Sequence, residues 1–459
     1  MCLRLYRWIP FCLAVLIGMA AFGASAEGVQ EENQFLKRSS NFAFDLKEIV
    51  SVGVFTNPEM VQALHNKAAV GQQLVQARAG RRPTIDIFAE AGYEKTEDRF
   101  TRAGPGSDSE TLFRRRVSLT VNQMLFDGFE TQGEIDRQRA RSMVAYFQAV
   151  NTAEQLGLNI VQAYYNVVTQ RKLLEIAREN VAVHLNIFNQ VRKSVRAGRL
   201  SQTDVEQVKA RLAAAKTSET SVREQLERSE SDFKRLTGIF PQKLGSPVLP
   251  VEYKNIDTKK IVKTALRDNP SLKAVNKAVD TSEARLKISS ASFYPQIDLR
   301  LNARRADDVS GLDAREDSLS ALIVMTWDLY SGGADTARHE EFLYKFEAAK
   351  DRYADRVREI EDLTRQSVSR MISARARTDQ FTAQASANER LVDAYLDQFQ
   401  LGRRSLLDVL DVQNEHFVSS RNAVLEKSRQ ELAAFRILAL QGRLLKTLGI
   451  AYDDFLGAY

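Results

Sequence analysis

The chain has 459 residues, with 65 basic and 59 acidic side chains and a formal net charge of +6 at pH 7. This small excess is spread over both signs and forms no basic stripe, so a nucleic-acid partner is not expected. The two cysteines, Cys2 and Cys12, lie in a predicted leader, which excludes disulfides and thiolate metal sites from the predicted mature chain.

Residues 1–26 have the pattern of a secretory signal peptide. Arg4 and Arg7 precede an apolar run over residues 9–22, and Ala24-Ser25-Ala26 is a typical cleavage site. The run is too short for a membrane anchor, and no later run approaches the roughly 18–20 apolar residues that a spanning helix needs. We therefore predict an exported protein that can cross a membrane only as strands.

The rest of the chain repeats one unit twice. The matched pairs are Asn57-Pro58 and Asn269-Pro270, Pro83 and Pro295, Gly128 and Gly332, and Gly198 and Gly402. The predicted repeats cover residues 27–250 and 251–459, and residues 443–459 form a predicted C-terminal collar. Two copies of a strand pair between long helices favour a tube over an enzyme.

Four segments alternate apolar and polar residues with the two-residue period of a β-strand. Strands are predicted over residues 84–93, 116–126, 296–304 and 318–329. This alternation is what a transmembrane β-barrel requires, although a soluble sheet packed on a core shows the same pattern. Because four strands cannot close a barrel and an open edge in lipid is costly, spanning strands predict an oligomer that shares one barrel.

Long helices are predicted over residues 131–197, 199–237, 334–401 and 403–442. At 1.5 Å per residue, the first would be about 100 Å long. Its heptad-spaced positions, typical of a coiled coil, are Leu174, Ala177, Val181, His184, Phe188, Val191 and Val195. Gly198 and Gly402 predict tight hairpin turns between paired helices. The predicted helix–strand junctions are Pro83, Pro295, Gly128 and Gly332.

Together these features resemble the outer-membrane factors of the TolC type. The sharpest local similarity is at residues 402–411, Gly-Arg-Arg-Ser-Leu-Leu-Asp-Val-Leu-Asp, which resemble the hairpin segment at the periplasmic tip of that family. Residues 123–128 and 198–204 are most similar to the type I secretion and agglutination-protein branch, which exports large adhesins. The resemblance extends over essentially the whole predicted mature chain.

The resemblance implies an α+β membrane protein that forms a homotrimer. Its outer-membrane β-barrel would take four strands from each chain and continue into a long periplasmic α-helical barrel. The implied partners are a periplasmic adaptor (membrane fusion protein), an inner-membrane ABC transporter or proton-driven efflux pump, outer-membrane lipids and an exported protein cargo. No enzyme activity, cofactor or metal is expected.

Type I secretion of a large protein or adhesin is the first functional hypothesis, and multidrug or small-molecule efflux is the alternative. From the residues alone, an exported structural coiled-coil protein with a soluble sheet is a more distant alternative. The four histidines (His65, His184, His339, His416) are scattered. His184, on the heptad seam, is expected to be a packed residue rather than a ligand.

A gate at the periplasmic end is also implied by the resemblance. Asp408 and Asp411 match paired acidic positions around the constriction, where three copies of each would favour cations. Arg404 matches an arginine that links neighbouring hairpins in the closed state, and its matched partners are Thr203 and Asp204.

Phe399 stands where the best-known gate of the family has a tyrosine, so that hydrogen bond is lost here. The alternative reading of Asp204, Asp408 and Asp411 is that they are solvated first-turn acids favoured by the helix dipole.

Arg114, Arg115 and Arg116 begin the predicted second strand, at the expected outer rim of the barrel. A contact with lipopolysaccharide phosphates is one hypothesis, by analogy with basic lipid-binding clusters. A solvated loop end is the other.

Overall fold

A computed structural model describes residues 45–103, 109–245 and 257–452. The predicted signal peptide, and Pro247 and Pro250 of the segment between the repeats, lie outside the described residues. No helix in the described part of the chain is long and apolar enough to cross a membrane.

Two very long helices dominate the chain, and a single four-stranded sheet accompanies them. The helices are α1 (Leu46–Thr56), α2 (Pro58–Ala79), α3 (Arg99–Ala103), α4 (Glu130–Arg196), α5 (Gln202–Thr237), α6 (Thr258–Asp268), α7 (Pro270–Ser289), α8 (Ala334–Gln400), α9 (Leu406–Leu440) and α10 (Leu444–Thr447). The strands are β1 (Thr84–Thr96), β2 (Glu110–Asp127), β3 (Gln296–Asp307) and β4 (Arg315–Thr326). Helices α4 and α8 have 67 residues each, a length of about 100 Å.

Asn57 and Asn269 are the N-caps of equivalent helices in the two halves of the chain. The side-chain oxygen of Asn57 accepts the first free N–H of α2, and its amide nitrogen donates to the Leu236 carbonyl at 3.0 Å, near the end of α5. Asn269 caps α7 in the same way and donates to the Leu440 carbonyl at 2.8 Å, at the end of α9. Each asparagine therefore starts a short helix and ties it to the end of a long one.

The four strands form one antiparallel sheet in the order β1-β2-β3-β4. In the described chain, β1 and β4 each pair on one side only, so the sheet is open at both edges. Strand β4 ends at Thr326, not at residue 329 as predicted, because Thr326 pairs with Gln296 and the preceding Pro295 has no N–H to extend the ladder. Trp327 and Leu329 therefore follow the strand.

The three arginines of β2 do not lie where the sequence placed them. Strand β2 begins at Glu110, which pairs with Thr96 of β1, so the arginines lie inside the strand. Arg114 and Arg116 share one face of the sheet, and both pair with Glu90 at 2.6 Å. Arg115 points to the opposite face. The alternation of a strand separates the triplet, so it cannot act as one cluster.

Gly128 and Gly332 mark the points where strands give way to α4 and α8, and both have the left-handed backbone that favours glycine (φ +63° and +67°). Their surroundings differ. A Cβ at Gly128 would lie 2.6 Å from the Ala291 carbonyl oxygen, whereas a Cβ at Gly332 has nothing within 4 Å.

We expect Gly332→Ala to lower the free energy of unfolding by about 1 kcal/mol, from the left-handed backbone alone. Gly128→Ala is expected to cost about 2–3 kcal/mol, because the Ala291 backbone must also move. Urea denaturation of the two purified variants measures the difference. Equal losses would contradict the close approach at Ala291.

Helix α4 is the most deeply packed element, in contact with α2, α5, α7 and α9. Among its heptad-spaced positions, the fully buried ones are Leu174, Ala177, His184 and Val191. Asn180 and Ile187 are buried as well, whereas Val181 and Phe188 are only half-buried. The seam is displaced by one residue at these points because α4 contacts both α5 and α9, rather than one partner helix.

A buried carboxyl group anchors the C-terminal segment. Glu154 of α4 is 2% exposed and accepts the backbone N–H groups of Leu444 and Leu445 at 3.0 and 3.1 Å, at the start of α10. It also accepts the hydroxyl of Tyr452 at 2.5 Å. Three donors from the end of the chain thus converge on one side chain in the middle of the first long helix.

Candidate functional site at the hairpin tips

The long helices are joined in pairs by two turns of the same design. Helix α4 ends in a Schellman motif, in which the N–H of Gly198 donates to the Val195 carbonyl and that of Arg199 to the Ser194 carbonyl, both at 2.9 Å. Gly198 takes the left-handed backbone (φ +73°) that this motif requires. The next helix begins at Gln202, four residues after Gly198, and its N-cap is Ser201.

The second turn repeats this geometry. Gly402 (φ +73°) donates to the Phe399 carbonyl at 2.9 Å, and Arg403 donates to the Gln398 carbonyl at 2.8 Å. Ser405 is the N-cap of α9. Helices α5 and α9 start at residues 202 and 406, not 199 and 403 as predicted, because the Schellman residues and the N-cap occupy the intervening positions.

Two of the three predicted gate acids cap helices. Asp204 and Asp408 hold the third helical position of a capping box, and each carboxylate accepts the N–H of its own N-cap serine, at 2.9 Å for Ser201 and 3.4 Å for Ser405. Both carboxylates are exposed or half-exposed at the tips. Each is therefore available to solvent and also held in one orientation.

Asp411 instead links the two hairpins. Its carboxylate lies 3.2 Å from the guanidinium of Arg211 on α5, and both side chains are about half exposed. An exposed pair of this kind contributes about 0–1 kcal/mol. It orients Asp411 without neutralising the tip.

Arg404 is held within its own hairpin. Its guanidinium stacks 4.1 Å from the ring centroid of Tyr395, donates to Gln398 at 3.3 Å and lies 3.9 Å from Asp408. No ion pair in the described part of the chain joins Arg404 to Asp204. Within one protomer the structure thus brings Arg404 to Asp408, and not to Thr203 and Asp204.

One apolar cluster fastens the two tips together. Its buried members are Ile187, Val191, Val205, Val208, Leu406, Val409 and Leu410, from α4, α5 and α9. Phe399 is half-buried against this cluster. The phenyl ring of Phe399 therefore supports the tip by packing alone. It has no hydroxyl group that would have to lose its hydration there.

A buried polar contact that the sequence did not reveal lies next to this cluster. The side-chain amide of Gln413 on α9 donates to the side-chain oxygen of Asn180 on α4 at 3.2 Å, and the two residues are 3% and 7% exposed. The only available signal was a polar residue next to the apolar seam, which sequence alone does not separate from a solvated one. This hydrogen bond joins the two hairpins in the buried part of their contact.

His184 is packed one turn from Asn180. Its Nδ1 lies 2.9 Å from the Asn180 carbonyl oxygen, and burial lowers the pKa of the imidazole. Within the described ranges, no group of three or more His, Cys, Asp or Glu side chains could hold a metal ion.

Known proteins share this arrangement. The family model described as outer membrane efflux protein matches residues 56–239 and 261–443, each stretch spanning one strand pair and one pair of long helices. The outer membrane efflux protein BepC of Brucella suis is 23% identical over 345 residues, 74% of each chain. The alkaline protease secretion protein AprF of Pseudomonas aeruginosa is 21% identical over 426 residues, 89% of this chain and 86% of AprF.

A solved structure shows the same fold. The outer membrane protein VceC of Vibrio cholerae superposes with a TM-score of 0.78 at 16% identity, over 87% of this chain and 96% of VceC.

Proposed function

Because the chain belongs to the outer membrane efflux protein family, we propose that three copies of it form the outer-membrane conduit of a tripartite export system. The protein is an outer-membrane channel component that extends into the periplasm. The observation that carries the shared barrel is the open sheet, whose two edge strands each pair on one side only among the four described strands. The number of three copies comes from the resemblance to the family. Three such sheets, edge to edge, close a twelve-stranded barrel and leave no backbone group unpaired in lipid.

The long helices continue this conduit through the periplasm. Helices α4 and α8, at about 100 Å each, give three protomers a helical barrel deep enough to meet a periplasmic adaptor and an inner-membrane transporter. The hairpin tips form the closed end, with Arg404, Thr203 and Asp204 as contacts between neighbouring protomers and Asp408 and Asp411 around the pore. This arrangement accounts for the absence of an Arg404–Asp204 ion pair within one protomer.

The cargo we propose is a large protein exported by type I secretion. Support comes from the branch-like segments 123–128 and 198–204 and from the similarity to a protease secretion protein over 89% of the chain. Efflux of small molecules is the second candidate, supported by the similarity to an efflux protein.

A deletion strain separates these candidates when its secreted and surface proteins are compared with its drug susceptibility. Loss of one large surface protein at unchanged drug tolerance supports secretion. Hypersensitivity to antibiotics and detergents with an intact secretome overturns it in favour of efflux. A protein recovered as a soluble periplasmic monomer would contradict the conduit itself.

The proposed ring of Asp408 and Asp411 carboxylates is tested by removing their negative charge while keeping the capping geometry of the helix. In planar bilayers, the D408N/D411N variant is expected to bind a blocking multivalent cation about tenfold more weakly or worse, because a trimer loses six carboxylates at the constriction. Asparagine keeps an oxygen that can accept the Ser405 N–H.

The matched control is E224Q/D232N, which removes two carboxylates from α5 that are 62% and 67% exposed. Block that persists in D408N/D411N would place the constriction elsewhere.

A further inference from the structure

One face of the sheet carries an exposed apolar band. Directly paired residues of an antiparallel ladder lie on the same face, so the registers of β1 to β4 place the following side chains together: Ile85, Ile87, Leu119, Val121, Ile297, Leu299, Leu301, Leu319, Ile323 and Met325. Leu319 and Ile87 are 85% and 75% exposed. Under the proposed function this face is the lipid-facing surface of the barrel, and we call it the apolar band.

Two charged rungs follow the band on β2, β3 and β4, and beyond them only β1 and β2 continue, with Tyr93 paired to Phe113 on the same face. In the outermost rung that joins β2, β3 and β4, Arg115 pairs with Asp307, which pairs with Arg315. In the next rung, Val117 pairs with Arg305, which pairs with Asp317. Three arginines from β2, β3 and β4 therefore lie on the same face as the apolar band, at its outer end. We call these three the arginine girdle.

The girdle is partly exposed and loosely neutralised. The side chains of Arg115, Arg305 and Arg315 are 57%, 52% and 50% exposed. Arg115 lies 3.6 Å from Asp308, and Arg305 lies 3.8 Å from Asp317, which also pairs with Arg315 at 2.5 Å. One carboxylate thus serves two guanidinium groups, and two of the three ion pairs are long.

The opposite face differs. There, Arg114 and Arg116 close tightly on Glu90, and Arg114 also pairs with Glu94 at 2.9 Å. These arginines have their partners within the chain. On the lipid-facing side, by contrast, the half-exposed guanidinium groups of Arg115, Arg305 and Arg315 share the carboxylates of Asp308 and Asp317.

We propose that Arg115, Arg305 and Arg315 form a binding site for the phosphate groups of an outer-leaflet lipid, namely lipopolysaccharide. Neighbouring strands are about 4.8 Å apart, so the three guanidinium groups spread over about 10 Å across the sheet. That span suits two phosphates on one headgroup, each held by the forked donors of an arginine. The acyl chains of the same lipid would lie along the apolar band, and the girdle's position beyond the band, away from the helices, assigns it to the outer leaflet.

The inference rests on the proposed function only in the orientation of the barrel. It assigns the lipid contact to Arg115 together with two arginines from the second strand pair, which are distant in sequence.

The test uses the purified full-length trimer and counts the lipopolysaccharide that remains bound. R115S/R305S/R315S is expected to retain about tenfold less than the wild type, because three charge-assisted contacts are removed. R115K/R305K/R315K keeps the charge and is expected to retain an intermediate amount. R300S/R304S removes two arginines from the opposite face of β3 and is expected to retain as much as the wild type.

Adding lipid or phosphate to the purified trimer shows which part of the ligand the site recognises. Lipopolysaccharide is expected to raise the temperature of trimer dissociation, and dephosphorylated lipopolysaccharide or inorganic phosphate is not. Equal retention by the serine variant, or an equal shift with inorganic phosphate, would overturn the lipid site. A serine variant that exports its cargo and retains all its lipid would refute the lipid site and leave the proposed function standing. The proposed function is tested separately, by the cargo found in the medium.

Discussion

Glu154→Ala is expected to lower the free energy of unfolding by about 2–6 kcal/mol, because it leaves two buried donors without an acceptor at about 1–3 kcal/mol each. These donors are the N–H groups of Leu444 and Leu445. The hydroxyl of Tyr452 loses one acceptor but keeps the Gly442 carbonyl, at 3.0 Å. The damage should concentrate at the C-terminal segment, where proteolytic cleavage should become faster. Urea denaturation and limited proteolysis of the purified protein measure the two effects.

Tyr452→Phe is the matched control. It removes one of the three contacts and leaves the carboxyl group and both N–H donors in place, so a loss of about 1 kcal/mol is expected. If Glu154→Ala were no worse than Tyr452→Phe, the carboxyl group would not be the anchor of α10.

The same residue makes stability depend on pH. Burial raises the pKa of Glu154 to about 7, against a model-compound value of 4.5, and the hydrogen bonds from Tyr452, Leu445 and Leu444 only partly oppose it. Between these two values the folded protein holds more protons than the unfolded chain, so the contribution of Glu154 to stability falls as pH rises from about 4.5 to 7. Below this window the contribution is fully present.

Glu154→Gln isolates this effect, since Glu431, which has a pKa also raised by burial, is common to both proteins. The difference in stability between the wild type and E154Q is expected to change by about 3 kcal/mol across the window. A constant difference from pH 4.5 to 7 would show that Glu154 stays ionised in the fold.

Gln413→Ala is expected to loosen the contact between the two hairpins, with a loss of about 3 kcal/mol from an unsatisfied Asn180 amide and a new cavity. Because this contact lies beside the apolar cluster that joins the tips, the loss should favour separation of the hairpins. Under the proposed function, the expected result in planar bilayers is a larger fraction of time at high conductance, together with a lower urea midpoint.

The double variant N180L/Q413L is the control for burial. It replaces both amides with apolar side chains of similar size, so no buried polar group is left unsatisfied and stability is expected to stay close to that of the wild type. A Gln413→Ala protein with unchanged conductance and an unchanged midpoint would show that the hairpins are held by the apolar cluster alone.

Short-range signals in the sequence were sufficient for the duplication and for the hairpin turns. Gly198 and Gly402 take the left-handed backbone, and Asn57 and Asn269 cap helices, because such preferences act within a few residues. The family assignment from these motifs is confirmed. The same locality explains why Asp204 and Asp408 take part in capping boxes.

Contacts between distant segments could not be read from the sequence. Glu154 meets Leu444 and Leu445 some 290 residues later, and Asn180 meets Gln413 across 233 residues. No pattern in either segment marks the partner, since one polar residue near a seam is compatible with both burial and solvation. The raised pKa of Glu154 follows from that burial and therefore could not be predicted from the sequence either.

By itself the sequence determined the period of each element, the duplicated order of strands and long helices, and the family, because these depend on spacing along the chain. Only the tertiary structure decided the register of the sheet, and with it the face on which each arginine lies. A shift of one residue would move every side chain of β2 to the other face, and pairing with β1 and β3 is what chose between the two. That choice placed Arg115 on the face that also carries Arg305 and Arg315, and Arg114 and Arg116 on the other face.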